Sequence, residues 1–106
     1  MPKYLIEGSY TREGVAGVLA KGGSSRRKAA ADAVAAAGGQ LECLYFAFGD
    51  RDVVLIIDVP DEEAAAAVSM TVNASGGVVV KSTPLLTPEQ LDEAARRSVE
   101  YRPPGS

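Results

Sequence analysis

Two stretches of this 106-residue chain are built alike: an alanine-rich run is closed by a glycine pair and passes at once into an apolar segment. The first runs from Ser24 or Ser25 to Ala37, then Gly38-Gly39, then Gln40 to Phe48. The second runs from Asp61 to about Ala74, then Gly76-Gly77, then Val78 to about Leu85. Alanine is the strongest intrinsic helix former, and glycine accepts the left-handed backbone that ends a helix. Branched and aromatic side chains suit the strand that follows. The same helix-to-strand unit therefore occurs twice, and each copy needs a strand before it to pack against.

Both strands are present. Lys3 to Tyr10 alternates Tyr4, Ile6 and Gly8 against Leu5, Glu7 and Ser9, a strand pattern. Thr11 caps a short helical turn through Leu19 that Gly22-Gly23 breaks. Gly49-Asp50-Arg51-Asp52 joins Gln40–Phe48 to a strand at Val53–Val59, and so short a connection demands an antiparallel hairpin. Pro60 stops that strand and Asp61 caps the second helix, with Glu62 and Glu63 where the helix dipole favours negative charge. Thr87-Pro88-Glu89-Gln90 opens a third, short helix with a cap, a first-turn proline and a capping box, and Leu86 and Leu91 are placed for a hydrophobic staple. The order is βαββαβ plus a C-terminal helix. With right-handed crossovers it predicts an α+β, ferredoxin-like domain with a four-stranded antiparallel sheet and both long helices on one face. The predicted domain covers residues 1–97. Residues 98–106 form a tail, Pro-rich from Tyr101 to Ser106, that frays or lies across a partner.

Two helices cover one side of such a sheet, and an open face should read polar at alternate positions. It does not. Val53, Leu55, Ile57 and Val59 fall on one face and Val54 and Ile56 on the other. Leu44, Phe46 and Phe48 oppose Leu41, Cys43, Tyr45 and Ala47, and Val78, Val79 and Val80 leave no polar side. The uncovered patch would reach several hundred Å², large for a monomer. A second copy related by a two-fold axis is the expected cover, giving a homodimer or a higher oligomer; the alternative is the C-terminal helix folding back over that face.

Composition narrows the chemistry. The chain has no His, which removes the commonest general base, zinc ligand and haem ligand together. Ser-His-Asp and Cys-His arrangements are excluded. The single cysteine, Cys43, reads as a small apolar core residue and cannot form an internal disulfide, which fits a reducing compartment. No cluster of ligand residues suggests a metal, and the glycines lack dinucleotide or P-loop spacing, so no cofactor is expected. A net charge of −3 argues against nucleic acid as a partner. No apolar run approaches the roughly 20 residues that span a bilayer, and Met1-Pro2-Lys3-Tyr4 lacks a signal-peptide pattern. No membrane association is expected, and the cytoplasm is the expected location.

The stretch Gly8-Ser9-Tyr10-Thr11, then Glu13-Gly14, then Arg26 or Arg27 before an alanine-rich helix ending at Gly38-Gly39, resembles the GYD domain family. So do Leu44-Tyr45-Phe46, Gly49 to Val54, Pro60-Asp61, Ala74-Ser75-Gly76 and Pro84-Leu85-Leu86-Thr87. The resemblance spans roughly Lys3 to Ala95. It implies a ferredoxin-like fold of the dimeric α/β-barrel type, with two sheets packed face to face, and implies little about activity. The Gly-Tyr-Asp triplet is absent. Gly49 and Asp52 are retained, and Arg51 stands where tyrosine is usual.

Five residues are candidate ligand contacts. Asp52 is either a turn residue bonding nearby backbone N–H groups or a pocket-rim acid beside Arg51. Glu7, among apolar neighbours in a strand, has the setting of a general base or of a solvent-facing ion-pair partner, as has Asp58. Tyr10 and Tyr45, with Tyr4, suit either packing or the walls of an aromatic-binding cavity. Arg27 belongs to the basic cluster Lys21, Arg26, Arg27 and Lys28. Cations at the start of a helix oppose its dipole, so they imply a bound anion, a partner's carboxylates, or a helix that begins near Thr11 and only bends at Gly22-Gly23. Two functions follow. One is a small-molecule-binding or structural oligomeric domain without catalysis. The other, implied by the barrel resemblance, is a cofactor-independent monooxygenase or isomerase for a small aromatic or polyketide-like substrate, with Tyr10, Tyr45 and Asp52 orienting it and Glu7 as base.

Overall fold

The computed structural model describes residues 1–105, so Ser106, the last residue of the predicted tail, lies outside the description. The elements are β1 (Lys3–Tyr10), α1 (Arg12–Lys21), α2 (Gly23–Ala36), β2 (Gln40–Phe46), β3 (Val53–Asp58), α3 (Glu62–Ala74), β4 (Val78–Leu85) and α4 (Pro88–Arg96). The sheet runs β2-β3-β1-β4 and every neighbouring pair is antiparallel. This is the α+β, four-stranded antiparallel arrangement that the doubled helix-to-strand unit implies, and it is consistent with a ferredoxin-like fold.

Three helix starts are where the capping residues place them, whereas α2 begins at Gly23, ahead of the expected Ser24 or Ser25, with Gly22 as its N-cap and no side-chain cap. Thr11 Oγ1 accepts from the Gly14 N–H at 3.2 Å, and Asp61 Oδ1 accepts from the Ala64 N–H at 2.8 Å. Thr87 and Gln90 close a full capping box, at 3.1 and 2.8 Å. Gly38 and Gly76, with φ of 85° and 81°, take the left-handed conformation that ends α2 and α3. Gly22, with φ of 84°, breaks the chain between α1 and α2, so Arg26, Arg27 and Lys28 lie near the start of α2 while Lys21 closes α1.

The core lies on one face of the sheet. Tyr4 and Ile6 of β1 and Val53, Leu55 and Ile57 of β3 meet Val34 of α2 and Ala65 of α3. Ile57 and Val59 are 0% exposed and Val34 is 1% exposed. Gly39 closes this core at the turn into β2. A Cβ there would sit 2.2 Å from the Asp58 carbonyl oxygen and 2.9 Å from Val59 Cγ1. Gly39→Ala should therefore force the strands apart, costing about 1–3 kcal/mol in the urea midpoint; an unchanged midpoint would contradict that packing.

Two further details, both in β2, differ from the sequence expectation. Simple alternation puts Leu41 with Cys43 and Tyr45, but Leu41 faces Ile57 while Cys43 faces Ile56, so a bulge at Glu42 resets the parity. Leu41 thereby joins Leu44 against the helix-side core, as expected when one extra residue enters a strand. β2 also ends at Phe46, and Phe48 lies in the hairpin loop fully exposed rather than in the strand.

The other face carries rows that run across the strands: Tyr45, Val54, Glu7 and Lys81 in one, and Cys43, Ile56, Leu5 and Thr83 in the next. At its end Lys3 Nζ bonds Glu42 at 2.8 Å and Asp58 at 2.9 Å. Those two hydrogen bonds hold the Lys3 ammonium above its ordinary pKa. Leu5, Val54, Ile56 and Cys43 are half-buried with no helix above them. The C-terminal helix does not fold back: α4 buries none of its nine residues and makes no substantial contact with the sheet. Leu86 and Leu91 stay largely exposed. The radius of gyration is 16.8 Å and the long axis 57 Å, against about 13 Å expected for a compact chain of some 100 residues.

Candidate functional site

The space between helices and sheet follows from small side chains. α2 presents Ala29, Ala30 and Ala33 inward, with Val34 its one buried residue. On the sheet below, Gly8 adds no side chain, and a Cβ there would meet Val53, Val78 and Val80 at 2.9–3.3 Å. Close packing normally leaves no void of more than a few atoms. Here a chamber of about 240 Å³ remains, roofed by α2 and the Val68–Ser75 side of α3 and floored by Ile6, Leu55 and Val80. Its walls are mostly apolar. Ser69, on the α3 side, shares a hydrogen bond with Ser82 and is thereby satisfied within the fold.

A second chamber of about 180 Å³ adjoins the first and is lined by Gly14, Gly17 and Gly77. Tyr10, Arg26, Ser75 and Val78 border both chambers. The start of α1 is tied down beside it: the Thr11 N–H donates to the Gly77 carbonyl at 3.0 Å and Thr11 Oγ1 donates to the Gly76 carbonyl at 2.8 Å. That approach is so close that a Cβ on Gly14 would fall 1.8 Å from the Gly77 oxygen. The result is a pair of adjoining chambers, the inner one mostly apolar and the outer one lined by glycines.

The five candidate residues separate. Tyr10 lines both chambers. Asp52 locks the hairpin to the end of β1: its Oδ2 accepts the Tyr10 N–H at 2.8 Å, and its own N–H donates to the Gly8 carbonyl at 2.8 Å. Glu7 sits on the opposite face of the sheet, in register between Val54 and Lys81. Tyr45 shares that outer face and is 71% exposed. It borders a shallow groove with Arg27, Gly23 and Phe46. The three strand tyrosines therefore surround no common cavity, because Tyr4 and Tyr10 face the helices and Tyr45 does not. Cys43 is half-buried on the outer face rather than in the core. The residue missing from the five is Arg26. It is half-buried, borders both chambers and has no ion-pair partner among the described residues, whereas Lys28, two residues on, bonds Asp32 at 2.9 Å.

Among the described residues no group of three or more His, Cys, Asp or Glu is arranged to hold a metal ion, and no helix is long and apolar enough to cross a membrane. Fold and cleft together define a small α+β domain with a ligand-sized space between its helices and its sheet. The family model of the GYD domain matches residues 4–95, and the chain belongs to that family. No curated protein and no solved structure matches it significantly. Of the loop where the name-giving triplet is absent, Asp52 has a defined structural task, the anchoring of Tyr10 at the cleft.

Proposed function

We propose that this is a homodimeric small-molecule-binding domain of the cytoplasm that works without catalysis, holding its ligand in the cleft between α2, α3 and the sheet. The carrying observation is the 240 Å³ chamber walled by Val34, Leu55, Val72 and Val80. It is somewhat below the roughly 300 Å³ at which pockets for drug-sized ligands begin, so the ligand is small. The enzymatic alternative asks Glu7 and Tyr10 to act on one substrate, and the sheet lies between them. The second copy covers the outer face, where the Cys43, Ile56 and Leu5 row is apolar and the neighbouring row offers both an acid, Glu7, and a base, Lys81. A two-fold axis can set such a row against itself with opposite charges meeting, giving sheets packed face to face in a dimeric barrel.

A thermal-shift panel of small apolar molecules, charged and neutral, tests the binding claim. A member at a hundred times its Kd should stabilise the protein by about 2.7 kcal/mol, roughly ten degrees for a domain of this size. A panel without any shift would overturn the proposal.

A further inference from the structure

Resting on that binding-cleft reading, we infer that the ligand is a small amphipathic carboxylate, its apolar body in the inner chamber and its head group on Arg26. Three observations on the cleft converge on this class. The inner chamber is lined mostly by valine, leucine, isoleucine and alanine side chains; of its other members, Ser69 is already bonded to Ser82, Ser75 donates to the Val72 carbonyl, and Tyr10, Arg26 and Thr71 complete the wall. That suits an aliphatic or aryl body and disfavours a sugar or a nucleotide, whose hydroxyls would lose their water partners there. At the boundary between the chambers stands Arg26, a half-buried cation with no carboxylate paired to it among the described residues. Its planar fork of donors matches a carboxylate in two-point geometry. Finally, Arg26 stands in the first turns of α2 beside Arg27 and Lys28, where three cations oppose the helix dipole. Lys28 has Asp32 as its local partner; Arg26 has the cleft. Tyr10 shares the boundary and brings a phenol to the same wall, whereas the Ser75 hydroxyl is committed to the Val72 carbonyl, and the glycines of the outer chamber leave room for the head group and its water.

The test compares three probes of one chain length, sodium octanoate, octanol and octylamine, by calorimetric titration of the full chain and of Arg26→Gln. Octanoate should bind about tenfold or more tighter than octanol, the scale of one charge-assisted hydrogen bond, and octylamine most weakly. Arg26→Gln should bring octanoate down to the level of octanol, whose own affinity changes far less, and Arg26→Lys should restore part of the preference. Equal binding of octanoate and octanol by the unaltered chain would overturn the carboxylate and leave the cleft reading intact. An octanoate preference that survives Arg26→Gln would also overturn it, placing the head group elsewhere. Binding of none of the three would sink the cleft reading together with this one. The melting temperature of each unliganded variant checks that Arg26, exposed in part at the cleft mouth, is not needed for folding.

Discussion

Ile56→Arg should leave the chain folded and turn the proposed dimer into a monomer. Ile56 lies near the middle of the outer face, opposite Leu5 on β1 and Cys43 on β2, and no helix touches it. In a two-fold interface each substitution is made twice, so two arginines are brought toward each other in the centre of an apolar contact. Like charges juxtaposed at an interface cost several kcal/mol, and about 4 kcal/mol is roughly a thousandfold in dissociation constant. Sedimentation equilibrium should show the unaltered protein at twice the chain mass and the variant at the chain mass, with near-identical circular dichroism. A monomeric unaltered protein at micromolar concentration would contradict the face-to-face pairing, and so would a variant that stays dimeric.

The next residue along the same strand should behave in the opposite way. Ile57 points to the helices and is fully buried. Ile57→Ala removes three methyl or methylene groups from a site enclosed by Tyr4 and Leu41 in register and by the helices above. Such truncations cost about 2–5 kcal/mol, a large part of the 5–15 kcal/mol that typically holds a domain together. The melting temperature should fall by roughly ten degrees or more, without any change in the mass of the folded species. A fall of only a degree or two would mean that the core is centred elsewhere. Ile56 and Ile57 thus separate association from folding by a single step in sequence, because alternate strand residues face opposite sides.

Most of the fold was legible because local signals agreed with one another. Thr11, Asp61 and Thr87 mark helix starts by chemistry that needs no tertiary context, and Gly38 and Gly76 mark helix ends by a backbone conformation that few other residues adopt. The bulge at Glu42 was not legible, since no glycine or proline announces it and parity counting simply continues through it. The cleft was harder still. Its cause is the alanine content of α2, and an alanine-rich helix shows no periodicity of bulk to reveal which side faces the sheet. Arg26 and Arg27 are adjacent in sequence and about 100° apart around a helix; only the packing of α2 decides that Arg26 meets the chamber and Arg27 the shallow groove by Tyr45. Asp52 and Glu7 illustrate the same limit. Both are carboxylates near the tyrosines in sequence, yet one is engaged by a backbone N–H and the other lies across the sheet.

The chain's two unfilled surfaces follow from one economy of design. In the proposed reading a single sheet would serve a ligand on its helix side, where small residues keep α2 from closing down, and a twin on its bare side, where the strands stay apolar. The arm made by α4 takes no part in either within one copy.

The most direct measurement is an amide chemical-shift titration of the isotopically labelled protein with octanoate. Shifts should concentrate at Tyr10, Arg26, Ala30, Ala33, Val72 and Val78, around the cleft, and leave Leu5, Val54 and Ile56 unmoved. Shifts confined to those last three residues would place the ligand on the bare sheet face and contradict the account.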